Sequence, residues 1–234
     1  MALNVALAAN ELAAEFARAR FASQKNFISL PSGELLLEAV LRANRGNLDE
    51  EHVCVIPKHQ IGSEPLKKIE NSLREFGLEI NFVGAPRTRS AFSSLLWASD
   101  FFRDDVLRVI PGDAIVRTAS AENQTNEMAP YLVSARSTED RWGFLEVDGQ
   151  AKLISVEPKN PISDIIAAGE YVFENARDLI SLSQSIFMDA QSRDPHLAQA
   201  LKIIAGGSPI KVKAAAEFIP LASPGDVRAF GAIS

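Results

Sequence analysis

Cysteine is almost missing: Cys54 is the single thiol in 234 residues. No internal disulfide can form and no multi-cysteine metal site can be assembled. Its setting, HVCVIP, is apolar, so the thiol reads as a small buried hydrophobe. Positive charge is also scarce, with 24 Lys and Arg against 30 Asp and Glu, a net charge of −6, and nowhere a cluster of basic residues. A nucleic-acid partner needs a basic stripe to neutralise phosphates, so that class is excluded as the main one, although a local basic pocket is not. No apolar run reaches the ~18 residues that cross a bilayer, and no membrane partner is expected. No basic segment precedes the acidic Glu11 and Glu15, so a signal peptide is not expected either and the expected address is the cytoplasm. The three histidines, His52, His59 and His196, lack metal-ligand spacing and read as surface or capping residues. Neither a Gly-x-Ser-x-Gly elbow nor a Walker loop is present.

A more local absence is glycine from residues 3–21, LNVALAANELAAEFARARF. In an α/β protein the first strand-to-helix turn is where a phosphate loop sits, and such loops need glycine so that backbone N–H groups can close on phosphate oxygens. This turn has the position without the chemistry.

What is present alternates. A strand at Leu3–Ala8 leads into a helix from about Asn10, a suitable N-cap, to Phe21, with Leu12, Ala13 and Phe16 on one face and Glu11, Glu15 and Arg18 on another. A helix around Glu34–Ala43 precedes the strand VCVIP. In SEPLKKIENSLREFGLEINFVG, Pro65 suits a first helical turn, Leu66, Ile69, Leu73 and Phe76 repeat at helical spacing, Gly77 stops the helix, and LEINFV runs on as a strand. Ser90–Phe102 reads as a helix, with Trp97 expected in the core, and VLRVIPG as a strand ending just before Asp113. Later, WGFLEVDGQAKLISVE carries Asp148–Gly149 between two short strands, a hairpin signal. Trp142, at the start of the first, is also expected in the core. AAGEYVF is a strand, ENARDLISLSQSIFMDAQ a helix, and IKVKAAAEFIPL a strand before a short helix near SPGD. The expected fold is α/β: a Rossmann-like, mostly parallel sheet with helices on both faces and a small mixed-sheet extension. One domain is expected over 1–234, whose second half adds the mixed-sheet extension. Ligands of such sheets bind beyond the carboxyl ends of the strands, which singles out Asp113.

The order of these segments resembles the sugar-1-phosphate nucleotidylyltransferase family, whose members join a nucleoside triphosphate to a sugar phosphate and release pyrophosphate. The likeness runs nearly the whole length and implies a nucleotide-binding half over 1–116 and a sugar-binding and closing half over 117–234. EPKNPISDIIAAGEYVF resembles the family's glutamate–lysine–proline stretch and glycine-then-aromatic strand. FIPLASPGDVRAF resembles its closing segment, APRTRSAFSSLL the helix start near the base pocket, and RVIPGDAIV the strand ending in a metal-binding aspartate. The resemblance implies that Lys25 and Asp113 are catalytic, that Asp113 is a metal ligand, and that Thr88, Lys159 and Gly169 bind substrate. It also implies Mg²⁺, weakened because the second metal aspartate falls on Pro220. Asp226 matches the family's helix-start aspartate and is not assigned to metal. The signature loop falls on ANELAAEF and QKNF, where both glycines are missing, the arginine place is Glu15, and the Lys-Pro pair survives as Lys25–Asn26.

Nucleotidyl transfer depends on positioning and charge stabilisation. Glu15 would aim negative charge at a triphosphate, and the missing glycines remove close backbone approach. The expected function is therefore a nucleotidyltransferase-like protein that binds a nucleotide, sugar phosphate or nucleotide sugar, with catalysis eroded. Its alternatives are an active, divergent enzyme and a non-catalytic scaffold. A glycosyltransferase ranks lower because GDAIV supplies one aspartate of an Asp-x-Asp pair. A homo-oligomer is compatible with all of these. Each site residue also has a plain structural role to weigh: Asp113 as a turn-former, Lys25 and Lys159 as solvated lysines, Gly169 for backbone approach, and Thr88 and Ser90 as helix caps. Glu170 stands where an apolar residue is usual; facing the cleft, it would repel phosphate.

Overall fold

The computed structural model describes residues 2–9, 13–21, 24–46, 50–88, 90–118, 130–189 and 195–233. In chain order its elements are β1 (Ala2–Leu7), α1 (Ala13–Arg18), α2 (Leu36–Ala43), β2 (Glu51–Pro57), α3 (Glu64–Glu75), β3 (Asn81–Ala85), α4 (Ala91–Leu95), β4 (Val106–Pro111), β5 (Ala114–Thr118) and β6 (Tyr131–Arg136). They continue with β7 (Gly143–Val147), β8 (Leu153–Pro158), β9 (Ile165–Phe173), α5 (Ala176–Ser181), α6 (Ser183–Asp189), α7 (Leu197–Ile204), β10 (Lys211–Pro220) and α8 (Pro224–Ile233). Asn10, Glu11 and Leu12, the expected cap and first-turn residues of the first helix, lie outside the described residues.

Ten strands share one sheet in the order β3-β2-β1-β4-β9-β6-β10-β5, with β7 joined to β9 and β8 to β7. Along that order β3, β2, β1, β4, β6 and β10 run one way, and β9 and β5 the other. The mostly parallel α/β architecture is as expected. The hairpin at Asp148–Gly149 is the β7–β8 pair, the mixed part of the sheet.

Helices cover both faces because strand side chains alternate. On β1, Leu3 and Val5 join a core with Phe92 and Leu95 of α4, Leu179 of α5, Ile186 of α6 and Leu201 of α7. Ala6 and Ala8 point the other way, into a core with Leu37 and Leu41 of α2 and Leu66, Ile69 and Leu73 of α3. Cys54 lies in this second core, where burial pushes its thiol pKa up and keeps it protonated. The α3 unit follows its local signals: Ser63 Oγ accepts from the Leu66 N–H at 3.4 Å, Pro65 lies in the first turn, and Gly77 follows at φ +73°.

Several elements differ from the sequence pattern. The Ser90 helix is α-helical only to Leu95 and tightens to a 3₁₀ form over Leu96–Phe101. Phe92, Leu95, Ala98 and Phe102 are buried, while Trp97, two residues past Leu95 and on the other side of the helix, is 47% exposed and not core. Trp142 is half-buried, with its ring 5.5 Å from that of Phe218. The long helix expected from ENARDLISLSQSIFMDAQ breaks at Leu182 into α5 and α6. The strands β5 and β6 and the helix α7 were unmarked, since AIVRT follows the previous strand after only Gly112–Asp113.

Candidate functional site

A cleft of about 250 Å³ opens at the carboxyl ends of β1 and β4. Three expected site residues meet there: Thr88, Asp113 and Gly169. Leu7, Ala9, Ile110 and Pro111 form apolar walls, and Ser90, Ser94, Tyr171 and His196 add polar groups. The capping role foreseen for Ser90 is present, since its Oγ accepts from the Ser93 N–H at 3.1 Å. Thr88 Oγ1 and Ser94 Oγ share a hydrogen bond of 2.5 Å, which aligns two hydroxyls at the rim.

The turn that carries Asp113 is held on three sides. Asn44, at the end of α2, donates from Nδ2 to Ala114 O (2.6 Å) and Pro111 O (3.3 Å), and its Oδ1 accepts from the Val116 N–H (2.8 Å). The Leu221 N–H donates to Asp113 O at 2.8 Å. Gly112 donates its N–H to Leu7 O at 3.0 Å, and a Cβ there would lie 2.5 Å from that oxygen and 2.6 Å from Ala8 Cα. Glycine is required because the β4 turn is packed directly on the end of β1. The backbone after β1 thus has neighbours of its own: the Ala8 N–H donates to Val55 O, and Ala8 O accepts from Asn26 Nδ2 at 3.1 Å.

Asn26 and Lys25 sit in a 3₁₀ turn, Lys25–Phe27, and are buried. Asn26 also donates to Gln60 Oε1 at 2.9 Å, which ties that turn to the segment after β2. From there Lys25 Nζ donates to Asp113 Oδ2 at 2.8 Å, with the lysine side chain 6% exposed and the carboxylate side chain 31% exposed. The lysine lies behind the carboxylate and is not among the side chains lining the cleft.

Gly169 adopts φ +96°, and a Cβ there would come within 3.0 Å of Pro111 Cβ. Strand alternation then sends Gly169 and Tyr171 to the cleft and Glu170 to the opposite face. Glu170 therefore does not repel a cleft ligand. It is 1% exposed and takes two hydrogen bonds from Arg108, Nε to Oε1 at 3.0 Å and Nη2 to Oε2 at 2.8 Å.

Other expected residues stand apart. Lys159 is exposed in the turn after β8 with φ +59°; its N–H donates to Trp142 O, and it does not line the cleft. Glu15 is exposed on α1 and also outside the lining. Pro220 ends β10 opposite Ala114, next to Asp113, and its side chain offers no donor atom. Asp226 is committed elsewhere, accepting from Arg141 Nη1 (2.7 Å) and Nη2 (2.9 Å) and from the Ser223 N–H (2.8 Å) at the start of α8.

Mg²⁺ takes near-octahedral oxygen ligands and is usually held by one or two carboxylates plus substrate phosphates. Among the described residues, one oxygen of the only lining carboxylate is engaged by an ammonium, and no three of His, Cys, Asp and Glu gather as a metal group. A single carboxylate already paired with an ammonium is a poor fit to a divalent cation, and the described residues offer no more.

Two cleft residues escaped the sequence. Tyr171 could have been found two residues after Gly169 on the same strand face. His196 caps α7 as foreseen, its Nδ1 accepting from the Ala198 N–H at 3.3 Å, but it also lines the cleft beside Tyr171, at 6.2 Å between ring centroids. Burial pushes the imidazole down to about 4, so it is neutral at pH 7.

No family model matches the chain, and no curated protein matches it. Solved structures do. A nucleoside-diphosphate-sugar pyrophosphorylase from Vibrio cholerae superposes with a TM-score of 0.78 at 16% identity, covering 98% of this chain and 99% of that one. A Bacillus anthracis protein assigned as a glucose-1-phosphate thymidylyltransferase, in complex with sucrose, gives 0.78 at 13% identity over 100% and 95%. A UTP-bound UGPase from Acinetobacter baumannii gives 0.73 at 13% identity over 100% and 93%. Identities this low speak for the fold, and the chain has a nucleotidyltransferase-like fold.

Proposed function

We propose that the protein is a nucleotidyltransferase-like binding protein whose cleft takes a nucleotide, a sugar phosphate or a nucleotide sugar, with transfer chemistry weak or absent. The carrying observation is the convergence of Thr88, Asp113 and Gly169 on one cleft in which, among the described residues, the only lining carboxylate is already paired with Lys25. Two of the similar structures hold UTP and sucrose, a nucleotide and a sugar. In-line attack on an α-phosphorus needs preorganised charge on the equatorial oxygens and the departing pyrophosphate, and loss of a single such donor costs roughly 10²–10³ in rate. No lysine or arginine is among the described lining residues, so none of these supplies that charge.

The test pairs binding with turnover. Nucleoside triphosphates and nucleotide sugars are screened by thermal denaturation, and ligand at 100 times its Kd stabilises by about 2.7 kcal/mol. At least one is expected to raise the melting temperature, while pyrophosphate release with sugar-1-phosphates stays at background. Rapid release with a specific pair would instead establish a working enzyme. No shift with any ligand would favour a scaffold.

A further inference from the structure

Lys25 is not a surface lysine that happens to reach a carboxylate. Its turn is bolted to the end of β1 through Asn26, its side chain is 6% exposed, and the Phe16 ring lies 5.9 Å from the ammonium. Leaving Asp113 would strip a buried ammonium of its partner carboxylate, which is costly. A cation approaching Asp113 would therefore meet a carboxylate whose charge a sheltered ammonium already balances. It would find Pro220, with no donor atom, as the neighbouring side chain at the end of β10.

We infer that the Lys25 ammonium is the resident cation of this cleft, and that ligands bind here without a divalent metal. The inference rests on reading the cleft as the ligand site, and it adds the chemistry of recognition. Lys25 acts as a positioning residue: it holds Asp113 Oδ2 and leaves the other carboxylate oxygen as an acceptor. A fixed acceptor in the cleft that the Thr88 and Ser94 hydroxyls and His196 also line suits a hydroxyl donor, as on a sugar or ribose ring. With no metal to bridge them, phosphate groups add nothing that depends on Mg²⁺.

The first experiment uses Mn²⁺ alone on the full chain, without nucleotide, followed by the paramagnetic resonance signal of the free ion. Wild type and Asp113→Asn are both expected to leave Mn²⁺ free up to the order of 1 mM, the weak end of protein sites for hard cations. Lys25→Met releases the carboxylate and is expected to tighten Mn²⁺ binding about tenfold, within the range seen when groups around a metal ligand are changed. Micromolar binding by wild type that disappears in Asp113→Asn overturns the inference, and this comparison decides it even where Lys25→Met does not fold. The second experiment measures melting shifts with UTP and UDP-glucose in Mg²⁺ and in EDTA. Equal shifts in the two buffers support a metal-free site, and a shift confined to Mg²⁺ overturns it. Absence of any shift defeats the ligand-binding proposal instead, and the Mn²⁺ result still decides the role of Lys25.

Discussion

Two ion pairs flank the end of β4, and they are built differently. Arg108–Glu170 is enclosed: the side chains are 14% and 1% exposed, the pair is bidentate, and Arg108 Nη1 also donates to Asn44 O at 3.0 Å. Lys25–Asp113 shelters its cation and opens its anion to the cleft. In the first, every strong group is turned inward, and a ligand has nothing to touch. In the second, one charge is fixed so that the other can be presented. The pair that joins β4 to β9 thus belongs to the scaffold, and the pair beyond the strand end belongs to the site.

The largest expected effect comes from breaking the enclosed pair. Glu170→Ala leaves Arg108 buried and unpaired, and should cost about 3–5 kcal/mol in chemical denaturation. A loss below 1 kcal/mol would mean that water reaches the guanidinium, and the contrast would fail. The open pair should break asymmetrically. Asp113→Asn strands the buried ammonium and should cost about 1–3 kcal/mol, between the buried and the exposed limits. Lys25→Met should cost less, because the Asp113 carboxylate can rehydrate. Equal losses from the two variants would show that the lysine is not sheltered as drawn.

The remaining contrast is a pH dependence. His196 has a folded value of about 4, below the ~6.5 of an unfolded histidine. Between these values the unfolded chain binds the extra proton, so His196 contributes stability above about pH 6.5 that is lost as pH falls toward 4. Replacement by Asn, which can still cap α7, should flatten that limb of the stability profile. An unchanged slope would place the decline on other groups.

Much of the fold was legible because its signals are local. Ser63, Pro65 and Gly77 bound α3 within a single stretch of chain, and Asp148–Gly149 closes its hairpin between adjacent strands. The parallel strands VCVIP and VLRVIPG showed as apolar runs because both their faces are covered. The site was legible in part. Of the residues expected by place and resemblance, Asp113, Thr88 and Gly169 share one cleft, whereas Lys159 does not reach it. Glu170 looked anomalous because its partner is 62 residues away, and Lys25 looked solvated because Asp113 is 88 residues away.

The alternation of strands and helices, their caps and turns, and the acidic, cysteine-poor surface chemistry were determined by the sequence by itself, since propensity, periodicity and turn geometry act over a few residues. Only the tertiary structure decided which charges are paired, that Gly112 and Asn26 pack on the backbone of Leu7 and Ala8, and that His196 lines the cleft. The physical reason is strand order. Inserting β9 beside β4 and packing the β4 turn onto β1 brings distant residues within hydrogen-bonding range, and no local pattern along the chain encodes that adjacency.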